Sequence, residues 1–247
     1  HLEVISFIVS FLSSVVGAIT GIGGGVIIKP VLDATGTMSV SVISFLSGVT
    51  VLTMTAVSLF KSRKAEFSLD IRISCLLATG GAIGGIAGKG VFDQLKNMLG
   101  NDNTLGAIQA GILLILTFGV VLYIRFRRYI KAHTVKKAIA CILIGFALGI
   151  ISSFLGIGGG PFNVVVLYWA FSMDAKTAAK NSLFIILLSQ IFSLITTIIS
   201  STVPDFEFLI LILMMAGGVL GGITGISILK RINIKGAQTI FVSVLII

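Results

Sequence analysis

Acidic residues are scarce in this chain. Nine Asp and Glu stand against 18 Lys and Arg in 247 residues, and none of the nine falls in the middle of an apolar run. Carboxylate proton relays of the kind used by pumps are therefore missing, as are the oxygen ligands a metal-cation permease requires. The histidines are isolated, with His1 at the start and His133 in a basic stretch. The only cysteines, Cys75 and Cys141, lie inside apolar stretches with no C-x-x-C pair and no neighbouring His. They read as small packing residues, not as a disulfide framework or zinc site. No metal and no cofactor are expected. No enzyme is expected either, because the apolar runs hold no His, Asp or Glu to serve as a base. Charged residues make up only 11% of the chain, too few for a soluble globular domain. The first apolar run follows no basic n-region and leads into a glycine motif, so it is not read as a cleaved signal peptide.

Apolar sequence is abundant: 56% of residues are hydrophobic and the mean hydropathy is +1.13. Eight apolar runs cover roughly 4–28, 39–60, 71–92, 104–124, 138–171, 182–203, 208–229 and 234–247. A bilayer core about 30 Å thick takes roughly 20 apolar residues per helix. The expected fold is thus an all-α polytopic membrane protein with almost nothing left for an extramembrane domain. The last run reaches only about 21 Å as a helix and is expected to continue past residue 247. The net charge of +9 lies between the runs, so it reports topology and implies no nucleic-acid partner.

The chain repeats itself. Gly21-Ile22-Gly23-Gly24-Gly25 recurs as Gly156-Ile157-Gly158-Gly159-Gly160, and the same shift of 135 carries Met38 onto Met173 and Ser47 onto Ser182. A second pattern, GG-x-x-GG-x-x-G, occurs at Gly80 to Gly88 and again, 137 residues on, at Gly217 to Gly225. Two membrane repeats are expected, 1–134 and 135–247, joined by a basic linker from Arg125 to Lys131.

Charge tests the topology. If all eight runs span, Lys and Arg divide 10 against 8 and orientation is undecided. If the first run of each half is a re-entrant hairpin with the glycines at its tip, each half has three true spans and the second is inverted. Only Lys29, Lys89 and Lys96 then lie opposite the other fifteen. The positive-inside rule places the fifteen in the cytoplasm and both termini outside. The expectation is two inverted repeats in the cytoplasmic membrane, each a glycine-tipped hairpin plus three transmembrane helices.

Three adjacent glycines face all sides of a helix and break it, freeing the backbone for close approach by a ligand. Irregular backbone at membrane depth survives where protein buries it or water reaches it. A half-helix beginning after each run would aim unpaired N–H groups and a positive dipole end at an anion. No Gly-Lys-Ser or Gly-Lys-Thr follows, so no P-loop is indicated. The candidate substrate-binding set is Gly23, Gly24, Gly25, Gly158, Gly159, Gly160, Pro161, Asn163, Ser47, Asn181 and Ser182. Thr20, Thr50, Thr53, Ser152, Ser153, Ser189 and Gln190 complete the nearby polar inventory, where bonding to helix backbone competes with a substrate role. Lys29 and Lys180 are the nearest cations, placed either to attract an anion or to snorkel toward headgroups. The GG-x-x-GG-x-x-G stripes have helical spacing and are assigned to helix packing.

The paired glycine runs, with Pro30 after the first and Pro161 after the second, resemble the signature of the TauE/SafE family of sulfite exporters. The likeness covers nearly the whole chain. The family's small-residue stretch, often Gly-Thr-Ser-Leu, corresponds to Lys180-Asn181-Ser182-Leu183, with Leu46-Ser47-Gly48 as its first-half copy. Asn181 stands where Thr is usual, and Val165 replaces the second-half counterpart of Pro30. The resemblance implies a secondary permease that moves a small sulfur-containing anion, of the sulfite or sulfonate type, out across the cytoplasmic membrane. Its partners would be that anion and the bilayer. Transport of another small anion, or import of sulfur compounds, is the alternative within this architecture. An intramembrane enzyme or assembly subunit is the alternative of a different class. Oligomeric state has no signal in the sequence.

Overall fold

The computed structural model describes residues 2–99, 138–155, 160–201 and 203–246, together with 135, 137 and scattered positions between 108 and 126. Among these residues the chain is all helix, with no strand. The helices are α1 (Leu2–Thr20), α2 (Gly25–Asp33), α3 (Val40–Lys61), α4 (Ile71–Leu99), α5 (Ala138–Leu155), α6 (Gly160–Phe171), α7 (Ala175–Ile199), α8 (Phe208–Arg231) and α9 (Ile234–Ile246). Five of them, α1, α3, α4, α7 and α8, are long and apolar enough to cross a membrane. The chain is a multi-pass membrane protein. The run at 104–124 lies mostly outside the described residues.

Helix boundaries follow the sequence repeat. Adding 135 carries the end of α1 onto the end of α5 and the starts of α2 and α3 onto those of α6 and α7; adding 137 carries the start of α4 onto that of α8. Even the caps correspond. Ser39 accepts from the Val42 N–H at the start of α3, and Asp174 accepts from the Lys176 and Thr177 N–H groups at the start of α7.

The two most extensive helix pairs join the halves to each other: α1 lies on α8, and α4 on α5. Glycine makes both contacts. Gly80, Gly84 and Gly88 meet the carbonyls of Ile142, Phe146 and Ile150, while Gly217, Gly221 and Gly225 meet those of Phe7, Phe11 and Val15. Each pair maps onto its counterpart under the repeat. Contact residues rise together along both seams, so partners run parallel, and the missing side chains let the backbones approach closely. On α1 the matching face carries the small buried residues Ser6, Ser10 and Ser14.

Helices α3 and α7 run in opposite directions. The α7 residue Gln190 lies against Gly48, and the α7 residue Lys180 reaches Ser62 beyond the end of α3. One end of the bundle therefore gathers the end of α3 and the start of α7. It also holds the end of α8, where Lys230 donates to the Lys61 carbonyl at 2.8 Å. At the other end Leu2, Leu32, Met38 and Phe206 join one apolar cluster built around Ile28, Ile43 and Ile210. The α1–α2 pair is thus a hairpin that enters and returns at one end, with unequal arms of nineteen and nine residues.

Candidate functional site

The hairpin tip is irregular because glycine permits it. Gly21 and Gly23 adopt φ of +76° and +78°, a left-handed conformation that L side chains rarely hold. At Gly21 a Cβ would also lie 2.5 Å from the Ala179 Cα. The chain turns there and restarts as α2 at Gly25. The N–H groups of Gly25 and Val26, in the first turn of α2, meet no acceptor among the described residues. Such donors carry the positive end of the helix dipole.

Beside this turn lies a cavity of about 560 Å³. Of the candidate residues, Gly23, Gly25, Ser47, Asn163 and Lys29 line it, as do Ser152, Ser153, Ser189 and Gln190. Ser47 is 1% exposed, its hydroxyl has no hydrogen-bond partner among the described residues, and it lies 3.3 Å from the Cβ position of Gly25. The cavity extends along α3 and α7 past Ser44, Ser41 and Thr197 toward Pro204, at the end where the hairpin enters. Apolar walls come from Phe45, Leu148 and Ile186. A concave, mostly apolar space with a few converging polar groups is the usual form of a small-molecule site.

The remaining candidates lie elsewhere. Gly24 faces the Ser13 carbonyl of α1, 3.2 Å from its Cβ position, and Gly160 packs on the Ile22 carbonyl. Pro161 is buried in the first turn of α6, outside the cavity lining. Gly158 and Gly159 fall outside the described residues. Lys180, 7% exposed, donates to the Ser62 carbonyl at 2.9 Å and the Phe67 carbonyl at 3.1 Å, and its ammonium stands 5.4 Å from the Phe67 ring centroid. Asn181 accepts from the Asp70 N–H and the Ser74 hydroxyl, each at 2.8 Å, and donates to the Ser68 and Thr177 carbonyls. Ser182 donates to the Gly21 carbonyl at 2.6 Å. These three residues fasten α7 to the loop after α3 and to the hairpin tip. None of the three lines the cavity. Thr20, Thr50 and Thr53 bond the backbone of their own helices.

Two lining groups depart from the sequence reading. Gly81 and Gly85, assigned with their stripe to packing, border the cavity: their backbones pack on Gly149 of α5, but among the described residues only Gly80, Gly84 and Gly88 of that stripe have a neighbouring backbone crowding their own Cβ positions. The reason is geometric: adjacent glycines differ by about 100° around a helix, so the doubled pattern presents two faces. Ser41, Ser44, Ser193 and Thr196 also line the cavity. They carry no local signal beyond being small and polar in apolar helices. No group of three or more His, Cys, Asp or Glu placed to hold a metal occurs among the described residues.

The family model described as sulfite exporter TauE/SafE matches residues 6–247. The chain belongs to this family. It is also similar to the probable membrane transporter protein YunE of Bacillus subtilis (strain 168), with 24% identity over 266 residues, covering 99% of this chain and 94% of that protein. No solved structure matches. Family and relative agree with the apolar helices in describing a membrane transporter.

Proposed function

We propose that this TauE/SafE member is a secondary permease exporting a small sulfur-containing anion, of the sulfite or sulfonate type, across the cytoplasmic membrane. The observation that carries the reading is the Ser47 hydroxyl: buried, unpartnered and beside the first turn of α2 at the cavity wall. A buried hydroxyl without a partner costs about 1–3 kcal/mol, and an anion seated there relieves that cost. The substrate-contacting set is Gly23, Gly25, Ser47 and Asn163, with the N–H groups of Gly25 and Val26 as donors and Lys29 supplying positive charge in the wall. Gly24, Gly160, Pro161, Lys180, Asn181 and Ser182 build and hold the frame.

We read the two halves as inverted repeats, in keeping with the same function. Equivalent helices α3 and α7 run antiparallel, which for units related by a two-fold axis requires that axis to lie in the membrane plane. Lys61, Lys176, Lys230 and Arg231 belong to one end of the bundle, and Glu3, Asp33 and Glu207 to the other. By the positive-inside rule the basic end is cytoplasmic, so the cavity faces outward. An inside-negative potential favours anion export by about 2.3 kcal/mol per charge per 100 mV, which drives export without a carboxylate relay.

Proteoliposomes loaded with sulfite, a small sulfonate, phosphate or chloride test the reading. Efflux of a sulfur anion, with apparent affinity lowered by Ser47→Ala, is expected. Movement of phosphate or chloride but of no sulfur anion would overturn the substrate class.

A further inference from the structure

The two halves pack alike along the α1–α8 and α4–α5 seams, and they differ along the seams that join α3 to α8 and α4 to α7. Gly218 and Gly222 of α8 press on α3. Their Cβ positions lie 3.0 Å from the Thr50 carbonyl and 2.9 Å from the Met54 carbonyl, and that of Gly222 also lies 2.8 Å from the Ser58 hydroxyl. Thr50, Met54 and Ser58 are wholly buried. Under the repeat these glycines correspond to Gly81 and Gly85 of α4, and the three α3 residues to Ile185, Ser189 and Ser193 of α7. All five counterparts line the cavity. Among the described residues a Cβ at Gly85 would meet nothing within 4 Å, and one at Gly81 only the Gly145 carbonyl at 3.7 Å. The cavity is thus the open form of a seam whose repeat-related copy is shut.

Glycine inside a helix is costly unless close approach requires it. Among the described residues no neighbour crowds a Cβ at Gly85 in this conformation, yet its counterpart Gly222 is crowded by α3. A state in which α4 closes on α7 supplies the missing reason. We propose that the two seams exchange: α4 closes on α7 through Gly81 and Gly85 while α8 parts from α3, opening a second vestibule lined by Thr50, Met54 and Ser58 toward the basic end. Gly85 is then a residue of the closed outer gate, and Ser58 a residue of the inner path. This rests on the transporter reading, and its test does not require the substrate to be known.

The experiment measures thiol accessibility in membrane vesicles, in a background with Cys75→Ser and Cys141→Ala. Ser58→Cys should react with a membrane-impermeant maleimide from the side of Lys230. Adding Gly85→Val, whose side chain fits the open seam and blocks its closure, should slow that reaction by at least about tenfold. Ser193→Cys should stay reactive from the opposite side in both backgrounds, which also reports correct folding, and Gly85→Ala should give a smaller effect of the same sign. If Ser58→Cys stays sealed in both backgrounds, or reacts equally fast with Gly85→Val, the exchange is overturned. If labelling switches as stated while no sulfur anion moves, the exchange stands and the anion reading falls.

Discussion

The Lys180 ammonium donates to the Ser62 carbonyl at 2.9 Å, tying the second turn of α7 to the end of α3 across 118 residues of sequence. Phe67 takes a second bond from the same ammonium. Lys180→Met keeps the apolar stem but removes both bonds, leaving the Ser62 carbonyl only the Ala65 N–H, and charge-assisted hydrogen bonds of this kind contribute about 1.5–3 kcal/mol each. Thermal unfolding in detergent should show that loss, with Lys180→Arg retaining part of the stability. Since Lys180 does not line the cavity, anion affinity in the Met variant should keep its dependence on ionic strength. A selective loss of affinity at low salt would instead show the ammonium drawing anions in.

Asn181 completes the same fastening with four hydrogen bonds, three of them to residues of the loop and start of α4. Asn181→Thr retains only the bond a hydroxyl makes one turn back to the Thr177 carbonyl. The loop at 62–70 should then become open to protease at temperatures where the parent chain resists, and Asn181→Ala should behave likewise. Resistance equal to the parent would show that the loop is held by packing alone.

These two residues mark where the sequence stops being legible. The broken hairpin could be read from Gly21 to Gly25 because adjacent glycines have a local consequence, and the register of the halves could be read because the spacing repeats. From sequence Asn181 reads as a substrate contact beside Ser182, and Lys180 as a cation that attracts an anion or snorkels toward headgroups. All their partners but Thr177 lie more than a hundred residues away, and no periodicity reports them. Ser47 and Ser182 pose the harder case: same residue type, equivalent position, yet one is unpartnered and the other bonds Gly21. A sequence records the repeat but not which half is open.

That contrast yields a paired prediction. Ser182→Ala removes a bond to a buried carbonyl and should lower stability by about 1 kcal/mol with little change in affinity. Ser47→Ala removes a hydroxyl with no partner, so stability should hold or rise while anion affinity falls by about tenfold, the effect of losing a hydrogen bond to a charged ligand. Isothermal binding and thermal melts on both variants separate the effects. Equal affinity loss in the two would remove the distinction between frame and site.

Topology is open to direct labelling. Lys230 bonds the Lys61 carbonyl, so cysteines at Lys64 and Lys230 belong at one end of the bundle. An impermeant maleimide should label both from the cytoplasmic face and neither from outside. Labelling from opposite faces would break the antiparallel relation of the repeats.

Adjacent glycines on α4 provide the last prediction. Gly84 lies against the Phe146 carbonyl of α5 with no space for a methyl group, whereas a Cβ at Gly85 would face the cavity with nothing within 4 Å among the described residues. A side chain at Gly84 must push two helix backbones apart, and overpacking of this kind typically costs about 1–3 kcal/mol. At Gly85 an alanine stiffens the unfolded chain and suits the helix, a gain of about 0.5–1 kcal/mol relative to glycine. Gly84→Ala should therefore lower the melting temperature, and Gly85→Ala should raise it while slowing transport. The opposite signs are the decisive feature, because one residue of sequence separates the two positions and a general sensitivity of α4 would move both melts the same way. If both variants melt early, Gly85 packs in the resting state and the cavity wall drawn through it is wrong.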